Sequence, residues 1–154
     1  MLSANLEDLL PIIQEEIDSG GKVRFKPRGR SMLPFLKEGR DEVVLVKPPK
    51  RLKKYEIPFY RRRDGGFVLH RVVGFGPDGT YIMCGDNQYI KERGIAHDQI
   101  IAVVEGVYRK GKYIDATDSF YKLWGFWWPR VMWCKGFLPR AFRKIKRILR
   151  GNLQ

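Results

Sequence analysis

The sequence predicts a mainly β protein: a strand-rich body, preceded by one amphipathic helix and followed by a basic, aromatic-rich helical tail. From Lys22 onward, short stretches alternate apolar and polar residues, the period of a half-buried strand. Turn signals separate them at Pro48-Pro49, Asp64-Gly65-Gly66, Pro77-Asp78-Gly79 and Arg109-Lys110-Gly111. The charge is also uneven. The 154 residues carry a formal net charge of +13, and from Ser119 onward nine Lys or Arg stand with no acid. That leaves 21 basic residues against 17 acidic, a balance of +4, for 1–118. An apolar fraction of 44% in this length suffices for one domain with a real core. The expected division is a body over 1–118, with its helix at 4–18 and its β core at 22–114, and a tail over 119–154.

In order along the chain, Asn5 to Ile17 reads as the helix. Leu6, Leu9, Leu10, Ile13 and Ile17 recur at three and four residues, with Glu7, Asp8, Gln14, Glu15 and Glu16 turned away. Ser19-Gly20-Gly21 ends it. Strands follow at Val23 to Phe25, Glu42 to Val46, Ile57 to Arg61, Phe67 to Phe75, Thr80 to Cys84, Ile100 to Tyr108 and Lys112 to Ile114. Many short strands at close spacing argue for a compact β body. No period of 20 to 50 residues repeats, which excludes solenoids and propellers.

Cys84 and Cys134 are too few for a disulfide framework and have no neighbours at metal-ligand spacing. They read as free thiols in a reducing compartment, and neither metal nor cofactor is expected. The acidic start, Glu7 to Asp18, excludes a signal peptide's basic region and apolar middle. Arg130 and Lys135 interrupt the richest apolar stretch, so no run of about 18 uncharged apolar residues occurs. A cytoplasmic location is the expectation.

Three segments could carry chemistry. Ser31-Met32-Leu33-Pro34-Phe35 follows the first strand, and Gly29 lets the chain turn tightly and bring backbone N–H groups towards a reacting carbonyl. His70 lies inside the apolar run Phe67 to Val73 and has the pKa class that takes a proton from a serine near neutrality. His97, beside Asp98 in a polar loop, reads as solvated. Cys84-Gly85-Asp86-Asn87-Gln88 is a turn whose Asp86 could orient an imidazole, although an Asx-type turn is the more usual reading of such a segment.

Taken together and in this order, Ser31-Met32-Leu33-Pro34-Phe35-Leu36, Gly39-Arg40-Asp41-Glu42-Val43-Val44, His70-Arg71-Val72-Val73, Gly85-Asp86-Asn87 and Glu105-Gly106-Val107 form a joint pattern. It resembles the serine peptidase superfamily that joins signal peptidase I to LexA-type self-cleaving repressors. The resemblance covers about 23–113. It implies a signal-peptidase/LexA-like β catalytic core that cuts peptide bonds through an acyl-enzyme, with Ser31 as nucleophile. The position before Arg71-Val72-Val73 holds lysine in bacterial signal peptidases and LexA-like proteins, and histidine in the endoplasmic-reticulum and archaeal type. His70 is thus similar to the base of the serine-histidine branch. In that branch the Gly-Asp-Asn aspartate and an acid six residues further on are both candidates, and they map to Asp86 and Glu92. Relatives carry Asp-Asp-Arg-Gly where this chain has Lys91-Glu92-Arg93-Gly94. Gly29 stands where many signal peptidases have an oxyanion-donating serine, which leaves the backbone N–H of Ser31 for that role. Tyr55-Glu56-Ile57 replaces a usual Gly-Asp-Ile, and the family's N-terminal transmembrane anchor has no counterpart.

In the tail, Pro139 to Arg150 reads as a helix with Leu138, Ala141, Phe142, Ile145, Ile148 and Leu149 on one stripe and Arg140, Arg143, Lys144, Lys146, Arg147 and Arg150 around it. That pattern suits an anionic membrane surface, and Trp124, Trp127, Trp128 and Trp133 are interfacial residue types. Packing of the stripe on the body, or contact with single-stranded nucleic acid, fits the same composition. The aromatic density favours the membrane over nucleic acid, with membrane or partner contacts expected at Trp124, Trp127, Trp128, Trp133, Arg143, Lys144 and Arg147.

The function expected is a serine endopeptidase acting on a peptide or precursor protein at the inner face of the cell membrane. The alternative is a catalytically inactive binding module of the same fold, attached to membrane or partner through the tail. A self-cleaving repressor would need a DNA-binding domain before Ser31, and one acidic helix in about 30 positions is too little.

Overall fold

The computed structural model describes residues 6–131. Its order is α1 (Leu6–Asp18), β1 (Val23–Phe25), β2 (Glu42–Val46), β3 (Pro58–Arg61), β4 (Phe67–Leu69), β5 (Arg71–Phe75), β6 (Tyr81–Cys84), β7 (Glu92–Ile95), β8 (Ile100–Arg109) and β9 (Lys112–Asp115). A helix, α2, follows over 119–131. The protein is mainly β.

The long β8 organises the larger sheet, β1-β2-β8-β3-β4, with β9 added to β8. Val103 faces both Val46 and Pro58, and Val107 faces both Val43 and Ile114. β2 therefore occupies one side of β8, while β3 and β9 share the other. The smaller sheet is β5-β6-β7, and all pairs in both sheets are antiparallel.

Strand alternation sends neighbours to opposite faces. Phe59 and Leu69 enter a core with Ile13, Ile17, Phe35, Val43 and Val107, where α1 covers the sheet. Tyr60 and Val68 enter a second core with Val72, Tyr81, Met83 and Ile95 of the smaller sheet. The β3, β4 and β8 part of the larger sheet is thus buried on both faces.

Three expectations need correction. Phe67 to Phe75 is not one strand: the chain leaves the larger sheet after Leu69 and enters the smaller one at Arg71, so the single residue His70 links β4 to β5. Glu92–Ile95 is a strand that the sequence did not announce, because only Ile95 among its four residues is buried. In α1 the stripe is narrower than expected, with Ile13 and Ile17 buried and Leu9 exposed.

The start of the tail is part of the body. Tyr121 is buried at 4% exposure and meets Phe35 edge-on at 5.3 Å, while Trp124 packs on Phe35 at 5.7 Å. Trp128 donates its indole N–H to the Asp86 carbonyl at 2.7 Å. Trp124 and Trp128, expected at a membrane or partner surface, instead face the body; Trp127 is exposed. Trp133, Arg143, Lys144, Arg147 and the 139–150 helix lie outside the described residues. Among the described residues, no helix is long and apolar enough to cross a membrane.

Candidate active site

Ser31 lies in a turn pinned from below. Met32, Phe35 and Leu36 are buried, and Leu36 N–H bonds to the Met32 carbonyl at 2.9 Å, so the loop backbone is anchored while Ser31 stays half-buried. Gly29 has φ +92°, a conformation that other residues rarely adopt, and its N–H is held by Glu38 Oε2 at 2.9 Å. The Ser31 N–H has no hydrogen-bond partner among the described residues. Of these two amides, that of Ser31 is the one available to a developing oxyanion.

The β6–β7 turn grips the serine loop from the other side. Asn87 donates its backbone N–H to the Ser31 carbonyl at 2.7 Å and its side-chain amide to the Arg30 carbonyl at 3.1 Å. Gly85 is required by close approach. A methyl group there would lie 2.6 Å from the Ser31 carbonyl oxygen and 3.1 Å from His70 Nε2. Ser31 and His70 line one cavity of about 230 Å³, together with Gly29, Glu38, Arg62 and Gln88. In this state their side chains share no hydrogen bond among the described residues.

His70 is buried at 1% exposure, and its two nitrogens face different surroundings. Nδ1 lies 3.1 Å from Glu92 Oε1 and 3.4 Å from the Tyr60 hydroxyl. Tyr60 donates to Glu92 Oε2 at 3.1 Å, and Arg62 grips the same carboxylate with two N–H groups, Nε at 2.8 Å. A carboxylate opposite Nδ1 selects the tautomer with the proton there and leaves the Nε2 lone pair towards Gly85 and Ser31.

Burial lowers the His70 pKa below its ordinary value; Glu92 works against this and Arg62 adds to it. The imidazole is therefore neutral at neutral pH, the form that accepts a proton. Glu92 is pulled upward by burial, but the Arg62 hydrogen bond and the charges of His70 and Arg62 prevail and hold it below the usual carboxylate range. Burial and the adjacent Glu92 raise the Tyr60 hydroxyl far above its normal value, so it stays a neutral donor.

Asp86 occupies a different setting from Glu92. Both its oxygens bind Arg71, at 2.8 and 2.6 Å, and the pair is fully buried. Arg71 also donates to the Tyr55 carbonyl at 3.0 Å and sits over Phe35 and Tyr121. Of the two carboxylates expected to orient the base, Glu92 is the one on His70 Nδ1, and Asp86 fastens the Gly85–Asn87 turn to the core. Cys84, just before that turn, is buried, and burial pushes its thiol up to about 11, so it is no thiolate nucleophile. His97 is exposed, with Nδ1 2.9 Å from the Tyr81 hydroxyl.

Sequence reading missed Tyr60, Arg62 and Arg71. Nothing local marks the first two, which reach Glu92 across 30 or more positions. Arg71 carried a usable signal: an arginine inside an apolar strand demands a buried carboxylate.

Compared with family models, with curated proteins and with solved structures, the chain finds no match.

Proposed function

We propose that this chain is a serine endopeptidase, signal-peptidase-like in chemistry, that cleaves a peptide or precursor protein through an acyl-enzyme. The observation that carries the reading is a shared cavity for Ser31 and His70 in which the imidazole has its Nδ1 on Glu92 and its Nε2 on the serine side. Ser31 Oγ attacks the scissile carbonyl as His70 Nε2 takes its proton. Glu92 holds the imidazole and stabilises the imidazolium, and the Ser31 N–H meets the oxyanion. His70 then protonates the leaving amine, and water, deprotonated by the same nitrogen, releases the acyl group. The serine-histidine hydrogen bond forms as substrate binds, a tightening common at catalytic sites.

An extended peptide is the substrate class that the surroundings favour. Among the described residues β4 ends its sheet, pairing only with β3, and its residues Phe67, Val68 and Leu69 line the cavity just before His70. A substrate strand can pair with that free edge and present its carbonyl to Ser31.

The test is covalent labelling of the full chain by a serine-directed phosphonate, with the labelled residue located by mass spectrometry. Modification at Ser31, abolished in Ser31→Ala and His70→Ala, is expected. Absence of labelling in a folded parent chain would instead favour the inactive binding module, the reading supported by the unmade serine-histidine hydrogen bond.

For location we propose the anionic inner face of a membrane. α2 leaves Phe120, Leu123, Phe126, Trp127 and Val131 exposed, and the chain from Ser119 carries cations without acids. Flotation of the full chain with anionic but not zwitterionic liposomes is expected; equal behaviour with both would remove this reading.

A further inference from the structure

A second cavity, of about 450 Å³, lies beside Pro129 and Arg130 of α2, within the range of small-molecule sites. Pro129 and Arg130 of the helix, Tyr55, Val73 and the Gly85–Asp86 segment bound it, and its lining is mostly apolar. It is separate from the cavity of Ser31 and His70, although Gln88 borders both.

The charges around this recess have one sign. Lys54, Lys91 and Arg130 line it, and the only acid among its described lining residues is Asp86, whose two oxygens are already taken by Arg71. Arg130 stacks its guanidinium over Phe126 at 3.7 Å and donates to the Tyr55 hydroxyl at 3.4 Å and to the Phe126 carbonyl. All three partners are neutral, so the cationic charge is not cancelled by them. Lys54 likewise lies over the Tyr55 ring at 5.3 Å. An apolar recess bordered by cations is complementary to an apolar chain that ends in an anion.

We propose that this cavity binds an anionic amphiphile, with one acyl chain in the recess beside Val73 and an acidic headgroup at Lys54 and Arg130. A fatty acid and the acyl chain of an acidic phospholipid share this chemistry. The site is independent of the peptidase reading, since none of the groups that bind the ligand takes part in proton transfer.

The test is displacement of a fluorescent acyl probe from the full chain, below the critical micelle concentration. Laurate, lysophosphatidylglycerol and neutral lysophosphatidylcholine serve as competitors. Both anionic competitors should displace the probe at a concentration at least about tenfold lower than the neutral one, and their relative potency distinguishes free acid from phospholipid. Val73→Trp, which fills the recess from a half-buried position, and the surface variant Lys54→Glu should each weaken probe binding about tenfold or more. Ser31→Ala should bind as the parent does, which keeps failure of this site distinct from failure of the peptidase chemistry. Equal displacement by the neutral lipid, or unchanged binding in a folded Val73→Trp variant, would overturn the proposal.

Discussion

His70 Nδ1 lies 3.1 Å from Glu92 Oε1, while the nearer acid in sequence, Asp86, is bound at both oxygens by Arg71. Two carboxylates six residues apart thus have different partners. Glu92→Gln should slow phosphonate labelling of Ser31 by roughly 10²–10⁴-fold, because the imidazole loses its orienting charge. Asp86→Asn should instead destabilise the fold by about 3–5 kcal/mol by leaving Arg71 buried without its anion, measured by urea unfolding. A larger stability loss in Glu92→Gln than in Asp86→Asn would reverse these roles.

The pH dependence follows from His70. Its folded pKa is lowered from 6.5, chiefly by burial, and only the neutral ring is a base. Labelling should rise with pH along a limb centred below 6.5 and be flat at neutrality. The unfolded chain binds the proton more readily, so this residue's contribution to stability is complete above about 6.5 and is lost as pH falls through the folded pKa.

Arg62 and Glu92 should move that limb in opposite directions. Glu92 raises the His70 pKa and Arg62 lowers it. Glu92→Gln therefore shifts the limb to lower pH, and Arg62→Met shifts it to higher pH. Measuring the labelling rate of each variant across pH 4–8 decides this, and a shift in the same direction for both contradicts the assigned geometry.

Gly85→Ala should reduce labelling by about 10²-fold while the protein remains folded, as expected when a reacting group is displaced by an ångström or so. The added carbon would lie 2.6 Å from the Ser31 carbonyl oxygen, so the serine loop or the turn must move. An unchanged rate would show that the loop accommodates the methyl group without moving the nucleophile.

Ending the chain at Asp118 should destabilise the body. Tyr121 would be removed from Phe35 and Arg71, and Trp128 from the Asp86 carbonyl. Loss of the buried aromatic contact alone costs about 2–3 kcal/mol, a fall in melting temperature of roughly 5–10 °C. Membrane assays with that truncated chain would therefore confound attachment with folding.

Much of the fold was legible along the chain because strand period and turn chemistry are local. Glu42–Val46 matches its expected span, and β1, β6, β8 and β9 fall within a residue or so. Ser31, His70 and Asp86 stand out along the chain as candidates, while Glu92 enters only through the family resemblance. Their division of labour was not legible. Which acid reaches the imidazole depends on how β6 and β7 pair, and Met83 opposite Glu92 is a register that no local pattern specifies. The change of sheet at His70 is equally non-local: Phe67 to Val73 is one apolar run, and only competition between β3 and β6 for its two halves divides it. The tail was read by composition, which cannot say which side of a helix finds a partner. Phe35 and Asp86, both distant in sequence, decide that Trp124 and Trp128 turn inward and Trp127 outward. Residue order thus determined the strands and the candidate residues, while the partners of the two acids and the inner face of α2 were set by contacts between segments far apart in the chain.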